Sequence, residues 1–240
     1  MEAHPPETAE TPFRPPRQDR SRRTLARIVD AALDLLAERG AEATTVHDIV
    51  GRAGSSVGSF YARFSGKDEL LRHLEIHVWE RARERWDGAL AARSWDGLPL
   101  ARVVEDVVWA LLATWRASLR GRRALGTAAQ ARASWALQQH VRESVGPLLL
   151  AHRASIEHPD PALAVELGLR AVVGTFGELD APAGEAASPV PGAVPGRLDA
   201  LDDDVLVAEL ARLWLAYLGS PGRVEAKEER EPMEFFEIWG

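Results

Sequence analysis

The sequence predicts an all-α protein: a three-helix N-terminal head built around a helix-turn-helix, a larger helical body behind it, and about nine helices in total. Three observations carry this. Apolar residues recur at three- and four-residue steps in almost every periodic segment, the spacing that lines up one face of a helix. Ser or Thr followed three residues later by an acid, and Gly or Pro after the last apolar residue, punctuate those segments as helix starts and stops. No segment reads as a credible strand.

From Ser21 to Arg39, the residues Leu25, Ile28, Ala32, Leu35 and Leu36 share one face, and Gly40 supplies a left-handed stop. Thr45 with Asp48 forms a capping box ahead of Val46, Ile49, Val50 and Ala53, and Gly54 ends that short helix. Ser55 and Ser56 cap a third helix carrying Val57, Phe60 and Tyr61 and running into Phe64. Two short helices joined at a glycine are a helix-turn-helix signal. Ser65 and Asp68 repeat the cap and open a long helix through Leu70, Leu71, Leu74, Val78 and Trp79 toward Ala92. After a turn at 95–99 comes the most apolar helix. Val103, Val107, Leu111 and Trp115 form one ridge and Val104, Val108 and Leu112 the next, so it is expected to be central, ending at the basic turn Arg120-Gly121-Arg122-Arg123. Residues 124–157 read as one helix or two, with Ser134 a possible cap and Pro147 a possible kink. A helix from Asp160 to Phe176 contains Leu163, Leu167 and Ala171, with Gly168 and Gly174 where another backbone can approach. The last helix, from Leu201 to Leu218, follows Asp202, Asp203 and Asp204 and carries Val205, Leu206, Leu210, Leu213, Trp214 and Tyr217.

The chain thus divides into a disordered basic, Pro-rich arm (1–19), a helix-turn-helix domain (20–66), a body (67–219) with a flexible Pro-rich loop (180–199), and an acidic tail (220–240) ending in Phe235, Phe236, Ile238 and Trp239.

With 240 residues, 46% hydrophobic and 27% charged, the chain can bury a substantial core. The absence of Cys excludes disulfides, thiolate zinc sites and a cysteine nucleophile, and fits a reducing cytoplasm. The first 24 residues read as neither signal peptide nor anchor, and no apolar run is long enough to span a bilayer. Net charge is −7, but residues 1–67 hold ten Lys/Arg against nine Asp/Glu, so the acidic excess lies wholly beyond them. Between Arg14 and Arg27, Arg14, Arg17, Arg20, Arg22, Arg23 and Arg27 face only Asp19, a positive stretch that can follow a polyphosphate.

The segment Thr45 to Leu70 carries the most chemistry. A duplex's major groove is about 12 Å wide and admits one helix, so a reading helix must stand out from its support with small or polar residues outward. Ser56, Val57, Gly58 and Ser59 fit that description, over a small core of Val46, Ile49, Val50, Ala53, Phe60 and Phe64. Spacing alone leaves an ordinary pair of surface helices equally open. The run T-x-x-D-I-x-x-x-A-G-x-S-x-G-S-F-Y-x-x-F-x-x-K-x-E-L-L, within residues 20–74, resembles the TetR family of bacterial transcriptional regulators. Beyond residue 80 the resemblance is one of architecture only.

That resemblance implies that Thr45, Tyr61 and Lys67 hold phosphates while Ser56, Val57 and Ser59 face base edges. Lys67 lies in a helix's first turn, where the dipole disfavours a cation and a phosphate would be welcome, so a purely local role looks unattractive. Tyr61 can equally pack, and Thr45 can be a cap that leaves its own N–H available. Two positions depart from the family pattern: Ser55 stands at a commonly apolar site, and Val57 can meet a thymine methyl but makes no bidentate guanine contact. Arg22 and Arg23, and Arg52, either touch the DNA backbone or minor groove or are solvated charges.

The resemblance further implies a cytoplasmic homodimeric regulator, a repressor released from a palindromic double-stranded operator by a small hydrophobic or aromatic effector. It would need no cofactor, metal or membrane and would not be an enzyme. Its effector cavity is expected to draw on Trp79, Trp109, Leu112, Trp115, Trp135 and Phe176, with Trp86 nearby, and its dimer contact on Leu167, Gly168, Ala171, Gly174, Leu210, Leu213, Trp214 and Tyr217. Two other classes compete. One is a protein-interaction module using the acidic aromatic tail; the other is a small metalloenzyme with His73, His77 and Glu80 as ligands, although that order is not H-E-x-x-H.

Overall fold

A computed structural model describes residues 17–178 and 201–220. The expectations for most of the arm, the 180–199 loop and the tail after Ser220 lie outside them. The described chain forms eight α-helices and no strand. They are α1 (Arg17–Arg39), α2 (Val46–Arg52), α3 (Val57–Tyr61), α4 (Lys67–Ala91), α5 (Leu100–Ala124), α6 (Thr127–Leu150), α7 (Pro161–Glu178) and α8 (Asp203–Leu218), with a single 3-10 turn at Arg153–Ser155.

The count falls one short of nine because residues 127–150 form one uninterrupted helix. Pro147 sits in its last turn with its ring exposed, so the lost N–H donor does not break it. Helix α1 begins at Arg17, inside the expected arm, and α5 continues through the basic turn. The anticipated Ser65–Asp68 cap does not form. Instead the Ser65 N–H and hydroxyl both donate to Glu69 Oε2, at 2.5 and 2.6 Å, which holds the Glu69 carboxyl below the usual carboxylate range.

Two apolar cores result. The head core gathers Ile28, Leu35 and Leu36 of α1, Ile49 and Val50 of α2, Phe60, Phe64, and Leu70, Leu74 and Val78 of α4. It does not close at residue 66, since α4's first half and Ala124 and Leu125 at the end of α5 complete it. The body core is centred on α5, where Val103, Val104, Val107 and Val108 are wholly buried, as the two-ridge pattern predicts. Trp86 and Trp214 are buried in it, and Trp86 Nε1 donates to Ser144 Oγ at 2.9 Å. Full burial of one such aliphatic side chain stabilises by about 1.5–3 kcal/mol. Every Trp of the sequence lies at or beyond Trp79, so the head contains none.

Glu105 and Asp106 are also buried on α5. Arg93 reaches Asp106 at 2.5 Å, and Arg102 lies 3.4 Å from Glu105 and 3.3 Å from Asp106. Pairing is what makes two buried carboxylates tolerable.

Head and body meet along α4 and at the end of α5. Arg120 Nε donates to Asp34 Oδ1 at 2.6 Å and its Nη2 to the Asp30 carbonyl at 2.8 Å, which ties α5 to α1. Gly121 follows directly; a Cβ there would stand 2.7 Å from Val78 Cγ2, so the glycine allows α4 and α5 to close on each other.

Candidate nucleic-acid interface

Helix α2 is fixed from both sides. The buried Thr44 donates its hydroxyl to the Gly40 carbonyl at 2.7 Å and closes the α1–α2 turn, while Gly40 takes φ +78°, a left-handed backbone that glycine adopts without strain. Thr45 is the N-cap. Its hydroxyl accepts from the Asp48 N–H at 3.2 Å and donates to Asp48 Oδ2 at 2.6 Å, and its own N–H donates to the same oxygen at 3.0 Å. Those two donors, together with Arg39 at 2.9 Å, hold the Asp48 carboxyl below the usual range. The expectation that Thr45 keeps its N–H available is therefore overturned, because the capping box consumes it.

Helix α3 follows Gly54, whose φ of +55° makes the turn. Ser56 caps it: its Oγ accepts from the Ser59 N–H at 3.1 Å and donates to Ser59 Oγ at 3.0 Å. Phe60 is completely buried and its ring stands edge-on to Tyr61, with centroids 5.4 Å apart. With that side anchored, the other faces outward: Ser56, Val57, Gly58 and Tyr61 are exposed, Tyr61 by 55%, and Ser59 is half-buried. The short helix thus presents small side chains and one phenol to solvent. Ser55 Oγ is buried with no hydrogen-bond partner, which is what a hydroxyl suffers at an apolar position.

Lys67 departs from expectation. Its Nζ donates to the Ala41 carbonyl at 2.8 Å and the Thr44 carbonyl at 3.2 Å, so the ammonium braces the α1–α2 turn against the start of α4. The carbonyls answer the charge that the helix dipole disfavours, and the same bonds bring Lys67 beside Thr45. Arg22 and Arg23 are exposed at the start of α1. Arg52, at the end of α2, pairs with Glu38 of α1 at 2.5 Å.

Sequence reasoning missed Arg63. Its Nη1 donates to the Ser59 carbonyl at 2.6 Å, and its Nη2 to the Ser21 carbonyl at 3.2 Å and hydroxyl at 3.0 Å, so it fastens the end of α3 to the start of α1. A contact 42 residues away leaves no local signal.

In the body, α4, α5, α6 and α7 enclose a cavity of about 40 Å³. Trp79, Trp115 and Phe176 line it, as expected. The other three expected residues do not. Leu112 is 1% exposed within the body core, Trp109 packs against that core, and Trp135 is 64% exposed because the unbroken α6 turns it outward. Trp86 is likewise core. Arg122, read from the sequence as part of the basic turn, belongs to α5, lines the cavity and is 5% exposed.

The expected dimer residues divide the same way. Leu167, Ala171, Gly174, Leu213 and Tyr217 are exposed on α7 and α8, joined by Leu163 and Val205. Gly168, Leu210 and Trp214 are instead buried within the chain, because α7 and α8 pack on each other there and the Trp214 indole occupies the space a Gly168 side chain would need. His73 and His77 stack with ring centroids 6.2 Å apart, and no three His, Asp or Glu converge as metal ligands among the described residues. No described helix is long and apolar enough to cross a membrane.

A short helix anchored by one buried aromatic and offering small residues outward, on a two-glycine scaffold, defines a helix-turn-helix protein. Residues 28–74 match the model of the bacterial regulatory proteins of the tetR family. The chain is 38% identical over 86 residues to the HTH-type transcriptional repressor KstR2 of Rhodococcus jostii, covering 33% of this chain and 42% of that protein. It is 32% identical over 66 residues to the uncharacterized HTH-type transcriptional regulator YvdT of Bacillus subtilis, covering 26% and 34%. The aligned parts span less than half the length of these two relatives. A tetR-family regulatory protein from Rhodococcus shares the fold with a TM-score of 0.55 at 18% identity, over 83% of this chain and 98% of that one. PfmR, a TetR-family regulator from Thermus thermophilus, does so at 0.51 and 16%, over 82% and 96%. The head thus matches the tetR family's regulatory proteins in sequence, and the described chain shares the fold of solved TetR-family regulators.

Proposed function

We propose that this chain is a cytoplasmic, homodimeric transcriptional repressor that binds a palindromic operator and leaves it when a small, largely apolar effector enters the body. The observation that carries the reading is the outward face of α3, where Ser56, Val57, Gly58 and Tyr61 are exposed; on a duplex, Ser56, Val57, Gly58 and Ser59 would meet base edges and Tyr61 a phosphate. Lys67, whose ammonium keeps a third N–H beyond its two carbonyl bonds, forms the second phosphate contact, with Arg22 and Arg23 reaching the flanking backbone. The KstR2 name supports repression.

Dimerisation is supported by the exposed apolar side chains of Leu163, Leu167, Val205, Leu213 and Tyr217 on α7 and α8. A two-fold axis through it sets two α3 helices into successive major grooves, about 34–36 Å apart in the simplest arrangement. An effector that favours another spacing weakens DNA binding, and DNA weakens effector binding by the same factor.

Selection of fragments from a genomic library by the unliganded protein tests this. The expected result is enrichment of one palindromic sequence, with affinity falling steeply as salt rises. Equal recovery of all fragments at low salt refutes it.

A further inference from the structure

We propose that the groove between α4 and α6, on the outside of the body, is the docking site for this chain's own acidic, aromatic segment, residues 231–240. Docking of this kind requires neither an operator nor an effector.

The groove is open, holds about 540 Å³, and is lined by Trp79 and Arg83 of α4 and by Trp135, Gln139, His140 and Glu143 of α6. Trp135 is 64% exposed, more than any other large apolar side chain among the described residues. Of the others, Val57 and Tyr61 lie on α3 and five more on α7 and α8, the faces assigned above to DNA and to a second copy. Trp135 is left uncovered, together with Ile76, one helical turn before Trp79. An indole in water forfeits the large apolar burial that makes aromatic side chains strong contacts. The groove is also held in shape before anything enters it. The Trp79 ring stands edge-on to His140, with centroids 6.3 Å apart, and His140 Nε2 lies 2.5 Å from Asp87 Oδ1. Arg83 is exposed at the rim and makes no ion pair among the described residues, while Glu143 is the one carboxylate of the described lining.

The sequence beyond Ser220 supplies an occupant of matching chemistry. Its last ten residues carry Phe235, Phe236, Ile238 and Trp239, which suit two indoles, and Glu231, Glu234 and Glu237 with no Lys or Arg, which suit Arg83. Residues 221–230 mix Arg223, Lys227 and Arg230 with acids and hold one branched apolar residue, Val224, so the apolar content is concentrated at the far end. The connection is long enough. A Cβ on Gly219 would stand 2.9 Å from Glu157 Cβ, so α8 ends beside Glu157. From Glu157 back to Leu150 and then along α6 to Gln139 is at most about 40 Å, and the chain from Gly219 to Phe235 spans about 50 Å when extended. A segment tethered in this way meets the groove at an effective concentration on the order of millimolar, well above the bulk concentration of a second copy. Trp79 lines the internal cavity as well, so the docked segment would lie over the outer side of that wall.

The test uses the full chain, which contains no Cys, so two introduced thiols report on each other without background. Gln139→Cys with Gly240→Cys places one thiol in the groove and one at the end of the segment. Arg153→Cys with Gly240→Cys is the control, because Arg153 is exposed, lies outside the groove and is close in sequence to Glu157, at the segment's root. With a short bismaleimide and dilute protein, the groove pair is expected to form an intrachain link at least about tenfold faster than the control, read on denaturing gels and by mass spectrometry of the linked peptides. Adding Phe236→Ser and Trp239→Ser, or Trp135→Ala, is expected to bring the rate down to the control's, and Arg83→Glu to lower it in part. Ellipticity equal to wild type in each variant separates lost docking from lost fold. Equal rates for the two pairs overturn the docking, and a groove rate unmoved by the aromatic substitutions overturns the apolar recognition. A covalent dimer formed in preference to the intrachain link gives the groove to a second copy's segment and overturns the assignment to the chain's own.

Discussion

Gly168→Ala is the sharpest test of how α7 and α8 pack. A Cβ at residue 168 would lie 1.9 Å from Trp214 Cδ1 and 2.0 Å from its Nε1. Carbon atoms rest about 3.5–4.0 Å apart, so the indole or α7 must shift by about 1.5–2 Å. Trp214 is 1% exposed inside the body core, and a rigid bicyclic ring has nowhere to swing. Overpacking of this kind costs about 1–3 kcal/mol, and the depth of the clash puts it at the upper end. Replacing a helical glycine by alanine returns about 1 kcal/mol through propensity, leaving a net loss of about 2 kcal/mol. For a chain of this length that lowers Tm by about 4–8 °C, read by calorimetry or circular dichroism. Gly88→Ala in α4, where a Cβ meets nothing within 4 Å, is the control and should raise Tm slightly. In the double variant Gly168→Ala/Trp214→Leu the two losses should be less than additive. If Gly168→Ala is as stable as the wild type, the α7–α8 crossing is not the one described.

Ser55→Ala removes a buried hydroxyl that has no partner and should stabilise the head by about 1 kcal/mol without changing DNA affinity; a loss of stability in thermal melts would count against it. Lys67→Ala frees the α1–α2 turn, so it should lower both head stability and operator affinity and reduce the salt slope by about one; an unchanged salt slope argues against a phosphate contact. Burial holds His77 below the ordinary histidine value of 6.5, aided by Arg81 and His73 and opposed by Asp30 and Glu80. The unfolded chain therefore takes up the proton first. His77 costs nothing above that value and destabilises progressively as pH falls through it toward the lower folded value, so His77→Gln should flatten this part of the stability curve in denaturant titrations. An acid limb identical to wild type refutes it.

Much of the head was legible because its determinants are local. Gly40, Gly54, the Thr45–Asp48 box and the spacing of Ile49, Val50, Phe60 and Phe64 each act within a few residues, and each is found as read. Periodicity also gave the two ridges of α5. What escaped was set by distant partners. Glu69 outcompetes Asp68 for Ser65, and Gly168 serves Trp214, 46 residues on, where the pattern suggested a second copy. Arg120 and Arg122 look alike in a basic run, yet two residues of helical rotation put one on α1 and the other in the cavity. Trp135 was misassigned because a helix whose two faces are similarly apolar does not reveal which one turns inward.

The distribution of ring systems has a practical consequence. With every indole of the described residues at or beyond Trp79 and Tyr61 the phenol of the head, head and body carry different natural chromophores. Melting curves followed at the indole band and by far-ultraviolet ellipticity would coincide if α4 and the end of α5 weld head and body into one cooperative unit. They would part if the head lets go first, so the strength of that joint can be measured with no label attached.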